Sequence, residues 1–272
     1  MFPKSTEGEK RHRKRKRKLE VGFSIDAIKC MLKNTQGKKI HADINVLEFG
    51  CGDGFQIPYL KKLGTVVASD VYRGELKDLQ GAEFVECDIT NTPFVDDFFD
   101  VVYSNHVIEH VENLDGAFDE LIRIGGGNCI YAFSVPTNIW LLLSLPAQYL
   151  SKLKTFLRST GPKTSTRENS APPGPITNSN LARGEESLLD KCLGLLGPSG
   201  HGVTENYIEC YRNFRVRSWH KLFSDSGFLV IKTKPLLLYG PSEWPLIPIM
   251  KDKFGLSSSV LFLMVKRPTS HP

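Results

Sequence analysis

The sequence predicts an α/β fold, a parallel sheet doubly wound by helices, with a cap inserted between strand five and the following helix. Three observations carry that prediction. Apolar runs of strand length alternate with segments of helical period from Asn45 to Ser134. The first run, Asn45–Phe49, leads into three glycines at alternate positions, Gly50, Gly52 and Gly54. The second, Thr65–Ser69, is followed by an acid, Asp70, sixteen residues beyond Gly54. Glycines let the chain turn sharply from strand to helix and let a ligand approach the backbone more closely than a Cβ allows. An acid at the end of the second strand accepts hydrogen bonds from both ribose hydroxyls. Together they place an adenosine-type cofactor at the carboxyl edge of the sheet.

Each element follows in order. Gly22–Lys33 spaces Ile25, Ile28, Met31 and Leu32 as one helix face, with Ser24 as its cap. After the glycine turn comes a helix, Phe55–Leu63, then strand two at Thr65–Ser69 and a short helix from Gly74 to Leu79. Strand three is Ala82–Glu86, strand four Phe99–Ser104 and strand five Asn128–Ser134. A helix at Leu114–Ile124 precedes strand five and is broken by Gly125, Gly126 and Gly127. Regular alternation resumes with a helix at Arg217–Ser226 and two strands, Phe228–Thr233 and Ser259–Lys266. The implied division is a core over 21–138, an inserted cap over 139–213 and a C-terminal part of the core over 214–272. Residues 159–184, rich in Pro, Ser, Thr, Gly and Asn, read as a mobile loop in the cap.

Charge is unevenly placed. The net charge is +5, yet the run 10–18, KRHRKRKRK, holds eight of the 35 Lys and Arg and leaves 27 basic residues against 30 acidic ones. Residues 1–20 therefore read as a disordered basic tail on a mildly acidic body. Such a tail suits nuclear targeting, contact with anionic membrane or nucleic acid, or simple solvation. The six cysteines form no C-x-x-C pair and read as free thiols of a reducing compartment. The longest apolar run, Ile139–Leu145, is too short for a transmembrane segment, and no signal peptide is visible. The expected location is cytoplasmic, with peripheral membrane contact as the further option.

The glycine spacing selects the cofactor. A dinucleotide turn is G-x-G-x-x-G with pyrophosphate at the helix N-terminus. Here it is G-x-G-x-G, flanked by Glu48 and Asp53, which would repel pyrophosphate and favour a cation. V-L-E-F-G-C-G-D-G, Val46–Gly54, resembles the first motif of the class I S-adenosylmethionine-dependent methyltransferases, small-molecule branch, at every defined position. The resemblance covers about residues 40–138 and 214–268. It implies a seven-stranded Rossmann-like methyltransferase sheet ending in an antiparallel pair, and S-adenosyl-L-methionine as cofactor. It also implies cofactor contacts for Glu48, Gly50, Gly52, Gly54 and Asp70, with Val71 against the adenine face. Asp88 of ECDIT would meet the adenine amino group with Ile89 beside it. Phe99–Val102 matches the family's F-D-x-V, which sets Asn105 and His106 against the methionine part.

His106 is the candidate catalytic residue by location; His201, Glu205, Tyr207 and Tyr211 are weaker candidates. Methyl transfer from a sulfonium has an activated leaving group, so positioning and water exclusion dominate, and a base is needed only if the acceptor must lose a proton. H-x-x-E-H at His106–His110 is also a zinc signature on a helix. Here it directly follows a strand, and the family shows similar strings at this place, so no metal is expected and Glu109 and His110 read as anchors of the loop. The cap brings Ile139–Leu143, Leu145, Tyr149 and Phe156 with a basic end at Lys152, Lys154 and Arg158. That pattern suits a small-molecule or lipid-linked acceptor, amphiphilic or a glycan precursor, and equally an ordinary lid helix. A non-catalytic protein on the same fold, or a methyltransferase of RNA or protein, stays open beside it.

Overall fold

The computed structural model describes residues 7–36, 44–76, 79–160, 199–240, 249–251 and 256–268. Seven strands form one sheet: β1 (Asn45–Phe49), β2 (Thr65–Asp70), β3 (Glu83–Glu86), β4 (Phe99–Asn105), β5 (Gly125–Pro136), β6 (Phe228–Pro235) and β7 (Ser259–Lys266). Their order is β3-β2-β1-β4-β5-β7-β6, with β1 to β5 parallel and β7 antiparallel to both neighbours. The order reverses at β1 and β4, so their carboxyl ends open onto one crevice, the place where α/β sheets take ligands.

Alternation along each strand divides the core. Leu47, Phe49, Val102, Tyr131 and Phe133 pack on one face, under the helices α3 (Leu114–Ile124) and α6 (Val216–Asp225). Val46, Val101, Tyr103, Ile130 and Ala132 pack on the other, against α1 (Glu7–Gln36) and the short α2 (Ile57–Leu60). A period of two sends successive side chains to opposite faces, and both faces are covered, as a parallel sheet requires. Among the described residues the further α-helices are α4 (Asn138–Thr160) and α5 (Tyr207–Asn213). The chain forms two compact units, residues 1–144 with 200–272, and residues 145–199. The second unit holds the end of α4; residues 161–184 of the expected mobile loop lie outside the described residues.

Four local expectations change. Residues 7–20, read as a disordered tail, are the first half of α1, a helix of 30 residues. Lys, Arg and Glu are good helix formers, Glu7 and Glu9 oppose the dipole at its start, and Val21, Ile25, Ile28 and Leu32 anchor its second half in the core. Ser24 is therefore not a cap; it is buried mid-helix and its hydroxyl donates to the Glu20 carbonyl at 2.9 Å. The three glycines end α3 at Ile124 as expected, with Gly125 as its C-cap, but they are also the first residues of β5, which starts at Gly125 and not at Asn128. The β4–β5 register jumps from Phe99–Gly125 to Val101–Ile130 and absorbs the extra residues there. The helix expected at Gly74–Leu79 is a 3-10 turn at Arg73–Glu75, with residues 77–78 outside the described residues.

Candidate active site

The glycine turn is the floor of the site. Gly50, Gly52 and Gly54 all have positive φ, at 69°, 53° and 75°, a region that costs other residues. They differ in what surrounds them. A Cβ on Gly50 would lie 2.3 Å from a Val107 methyl, whereas one on Gly52 would meet no atom of the described residues within 4 Å. Gly50 is thus a packing glycine, and Gly52 borders open space. The Gly52 N–H donates to Asp70 Oδ2 at 2.9 Å, tying the end of β2 to the turn after β1. Val71 follows, exposed at the same edge.

Acids line this floor. Glu48, one residue before the end of β1, is buried and its Oε2 has no hydrogen-bond partner among the described residues. Burial pushes its pKa well above the carboxylate range, Arg17 opposes that, and Asp53 and Asp70 add to it. Asn105 ends β4 with its Oδ1 buried and likewise unpartnered. Just past the end of β3, Asp88 Oδ1 accepts from the Thr90 N–H and hydroxyl, both at 2.8 Å, and Ile89 is buried in the core. The backbone bond from Thr90 holds the Asp88 pKa below its usual value.

Two groups that sequence reasoning missed come from α1. Arg17 clamps Asp53 with both guanidinium nitrogens, at 2.6 and 3.0 Å, donates to Gln56 Oε1 at 3.0 Å and stacks 4.4 Å over the Phe55 ring. Glu20, fully buried, accepts from the Ser259 hydroxyl at 2.5 Å and lies 3.7 Å from His106 Nε2. Lys16 stands 3.9 Å from Glu20 and 4.4 Å over the Tyr239 ring. One residue in a run of eight cations carries no mark of its own, so composition could not single out Arg17.

His106 sits where β4 ends, at φ 58°, a strained value for a non-glycine residue. Its Nδ1 is 3.4 Å from Glu109 and its Nε2 faces Glu20 and, at 3.4 Å, the Tyr239 hydroxyl. Burial disfavours the imidazolium, but Glu109 and Glu20 outweigh it and push the pKa up to about 9. Each ring nitrogen thus faces a carboxylate, a setting that favours the charged form of the ring. Of the weaker candidates, His201 lies against His110 with ring centroids 5.0 Å apart, and Glu205 has no described side chain.

Comparisons with known proteins agree with this architecture. A family model described as "Methyltransferase domain" matches residues 47–131, the span from the glycine turn to mid-β5. A malonyl-[acyl-carrier protein] O-methyltransferase of Pectobacterium atrosepticum is 31% identical over 114 residues, 38% of this chain and 45% of that enzyme. The match thus spans less than half the length of that curated relative. Among solved structures, the plantazolicin methyltransferase BpumL in complex with a triazolic desmethylPZN analogue and S-adenosylhomocysteine superposes with TM-score 0.53 and 11% identity, over 95% of this chain and 89% of that one. A possible histamine N-methyltransferase of Thermotoga maritima gives 0.51 and 14%, over 92% and 90%. At such identities the superpositions speak for the fold.

Proposed function

We propose, from the premise that the core is a class I S-adenosylmethionine-dependent methyltransferase domain, that this chain moves a methyl group onto a small-molecule acceptor. One observation carries the proposal: three positive-φ glycines wired through Gly52 to Asp70, beside buried Glu48, whose Oε2 has no partner among the described residues. The residues suit the cofactor. Glu48 Oε2 and Asn105 Oδ1, buried without partners among the described residues, supply acceptors for a cationic ligand, and the space beside Gly52 admits it. S-adenosylmethionine, when bound, supplies a methyl group on a neutral-leaving sulfonium.

Each residue then has a part. Asp70 would receive the ribose hydroxyls, Glu48 and Asn105 the methionine end, and Val71, Asp88 and Ile89 the adenine. Arg17 fixes Asp53 and so keeps the turn's outer carboxylate from swinging inward. His106, Glu20 and Glu109 form a preorganised charged wall that needs no rearrangement during transfer. The finer reading of the acceptor is amphiphilic, lipid-linked or a glycan precursor, supported by the apolar sequence of α4 and its basic end. No helix among the described residues is long and apolar enough to cross a membrane.

The test is calorimetric titration with S-adenosylmethionine, S-adenosylhomocysteine and NAD, then transfer of labelled methyl into small-molecule and lipid-extract acceptors. Binding of the two adenosyl ligands with silence for NAD is expected. Well-folded protein that binds neither adenosyl ligand would sink the proposal.

A further inference from the structure

Of the H-x-x-E-H string, Glu109 and His110 but not His106 face a common point, and the fold brings a third metal-ligating group, His201, from 91 residues beyond His110. Glu109, His110 and His201 place one carboxylate oxygen and two imidazole nitrogens within 4.8 Å of one another. At that spread an ion would lie no more than about 2.8 Å from each, against about 2.0–2.2 Å in a zinc site, so side-chain rotations of under about 1 Å close it.

The scaffold holds these groups in place. The Val203 N–H donates to the Glu109 carbonyl at 3.1 Å, and Gly202 has φ 74° where a Cβ would stand 2.2 Å from that carbonyl oxygen. His201 is therefore pinned beside Glu109 by backbone. Its ring packs against Trp140 and Phe214, at centroid distances of 4.7 and 6.2 Å. Most telling is Glu109 itself, 6% exposed, with neither carboxylate oxygen hydrogen-bonded among the described residues. An ionised carboxylate buried that way is costly without a compensating charge. His106 compensates Oε1 alone, from 3.4 Å, which is also the place of an outer-shell partner that orients a ligand. Exposed His110 leaves a path for entry.

We propose that Glu109, His110 and His201 bind a divalent first-row transition metal ion. Two imidazoles and one carboxylate suit such ions, whereas magnesium and calcium prefer oxygen throughout. Three protein ligands leave coordination positions for water or for an oxygen of the acceptor. That last role rests on the methyl-transfer reading; the site itself does not.

Cobalt(II), whose absorption reports coordination, is the probe. Full-length protein stripped with chelator is expected to take up about one Co²⁺ per chain with visible bands, displaced by Zn²⁺. His110→Ala and His201→Ala should each weaken Co²⁺ by at least about 100-fold, the upper range for losing even an outer-shell partner. His110→Ala, an exposed substitution, should leave folding and S-adenosylhomocysteine affinity within about twofold. Uptake below about one tenth of an equivalent, or retention of Co²⁺ at wild-type affinity in both variants, overturns the site. A failed methyltransferase reading looks different: no adenosyl binding by any variant, loaded or stripped, with the Co²⁺ result unaffected.

Discussion

At the scale of single residues, the glycine turn separates packing from ligand access. Gly50→Ala adds a Cβ 2.3 Å from Val107 as well as a φ penalty, and should cost about 2–4 kcal/mol in urea denaturation. Gly52→Ala meets only the φ penalty, about 1–2 kcal/mol, yet should weaken S-adenosylhomocysteine binding at least about tenfold by calorimetry. Equal effects of the two on binding and stability would contradict this division. Glu48 makes a second test. Its Oε2 is buried without a partner among the described residues and burial, with Asp53 and Asp70, disfavours its charged form, so Glu48→Gln removes the cost of placing an ionisable group there. The variant should be as stable as the parent or about 1 kcal/mol more so, while binding the cofactor less tightly.

At the scale of elements, α1 is two helices in one. Its C-terminal half is fastened by apolar burial, its N-terminal half by Arg17 on Asp53 and Glu20 on Ser259 and His106. Glu20→Ala removes one partner of a buried charge and should cost about 3–5 kcal/mol in thermal or urea denaturation. Arg17→Ala should speed amide exchange in the first half of α1 and leave the second half protected. Alanine at exposed Arg13, Lys14 or Arg15 should stay within about 0.5 kcal/mol of the parent. If all five behaved alike, α1 would be held by generic charge and not by these two contacts.

At the scale of the molecule, acid should unfold the protein from both sheet faces. Glu20 under one face has its pKa lowered to about 2; burial works against this, and Lys16, His106 and Ser259 overcome it. Glu120 on α3, over the other face, is also lowered to about 2, first by Arg123, with Thr92 adding two bonds at 2.8 and 2.6 Å. Both hold fewer protons folded than unfolded between about pH 2 and pH 4.5, so their stabilisation is complete above that window and lost as pH falls through it. Glu120→Gln should flatten the fall of stability with acid and cost about 1–3 kcal/mol at pH 7, read from urea midpoints across pH. A slope unchanged by the substitution would assign the acid transition elsewhere.

The sheet was legible because its signals are local. Val46–Gly54 states strand, turn and ligand edge within nine residues, and Asp70 completes them at a spacing that one crossover sets. Strands β1 to β5 and the α3 pattern need only neighbouring side chains to declare themselves. What surrounds the cofactor edge is different in kind. Arg17 and Glu20 act on Asp53 and His106 across 36 and 86 positions, and His201 reaches Glu109 across 92. A basic run has one composition whether it waves in solvent or lies over a carboxylate. Only packing α1 on the sheet face, and nailing the Gly202 turn to Glu109, decides which of its charges and which histidine meet an acid. Periodicity and turn chemistry therefore determined the core, and long-range closure chose the groups that wall its active edge.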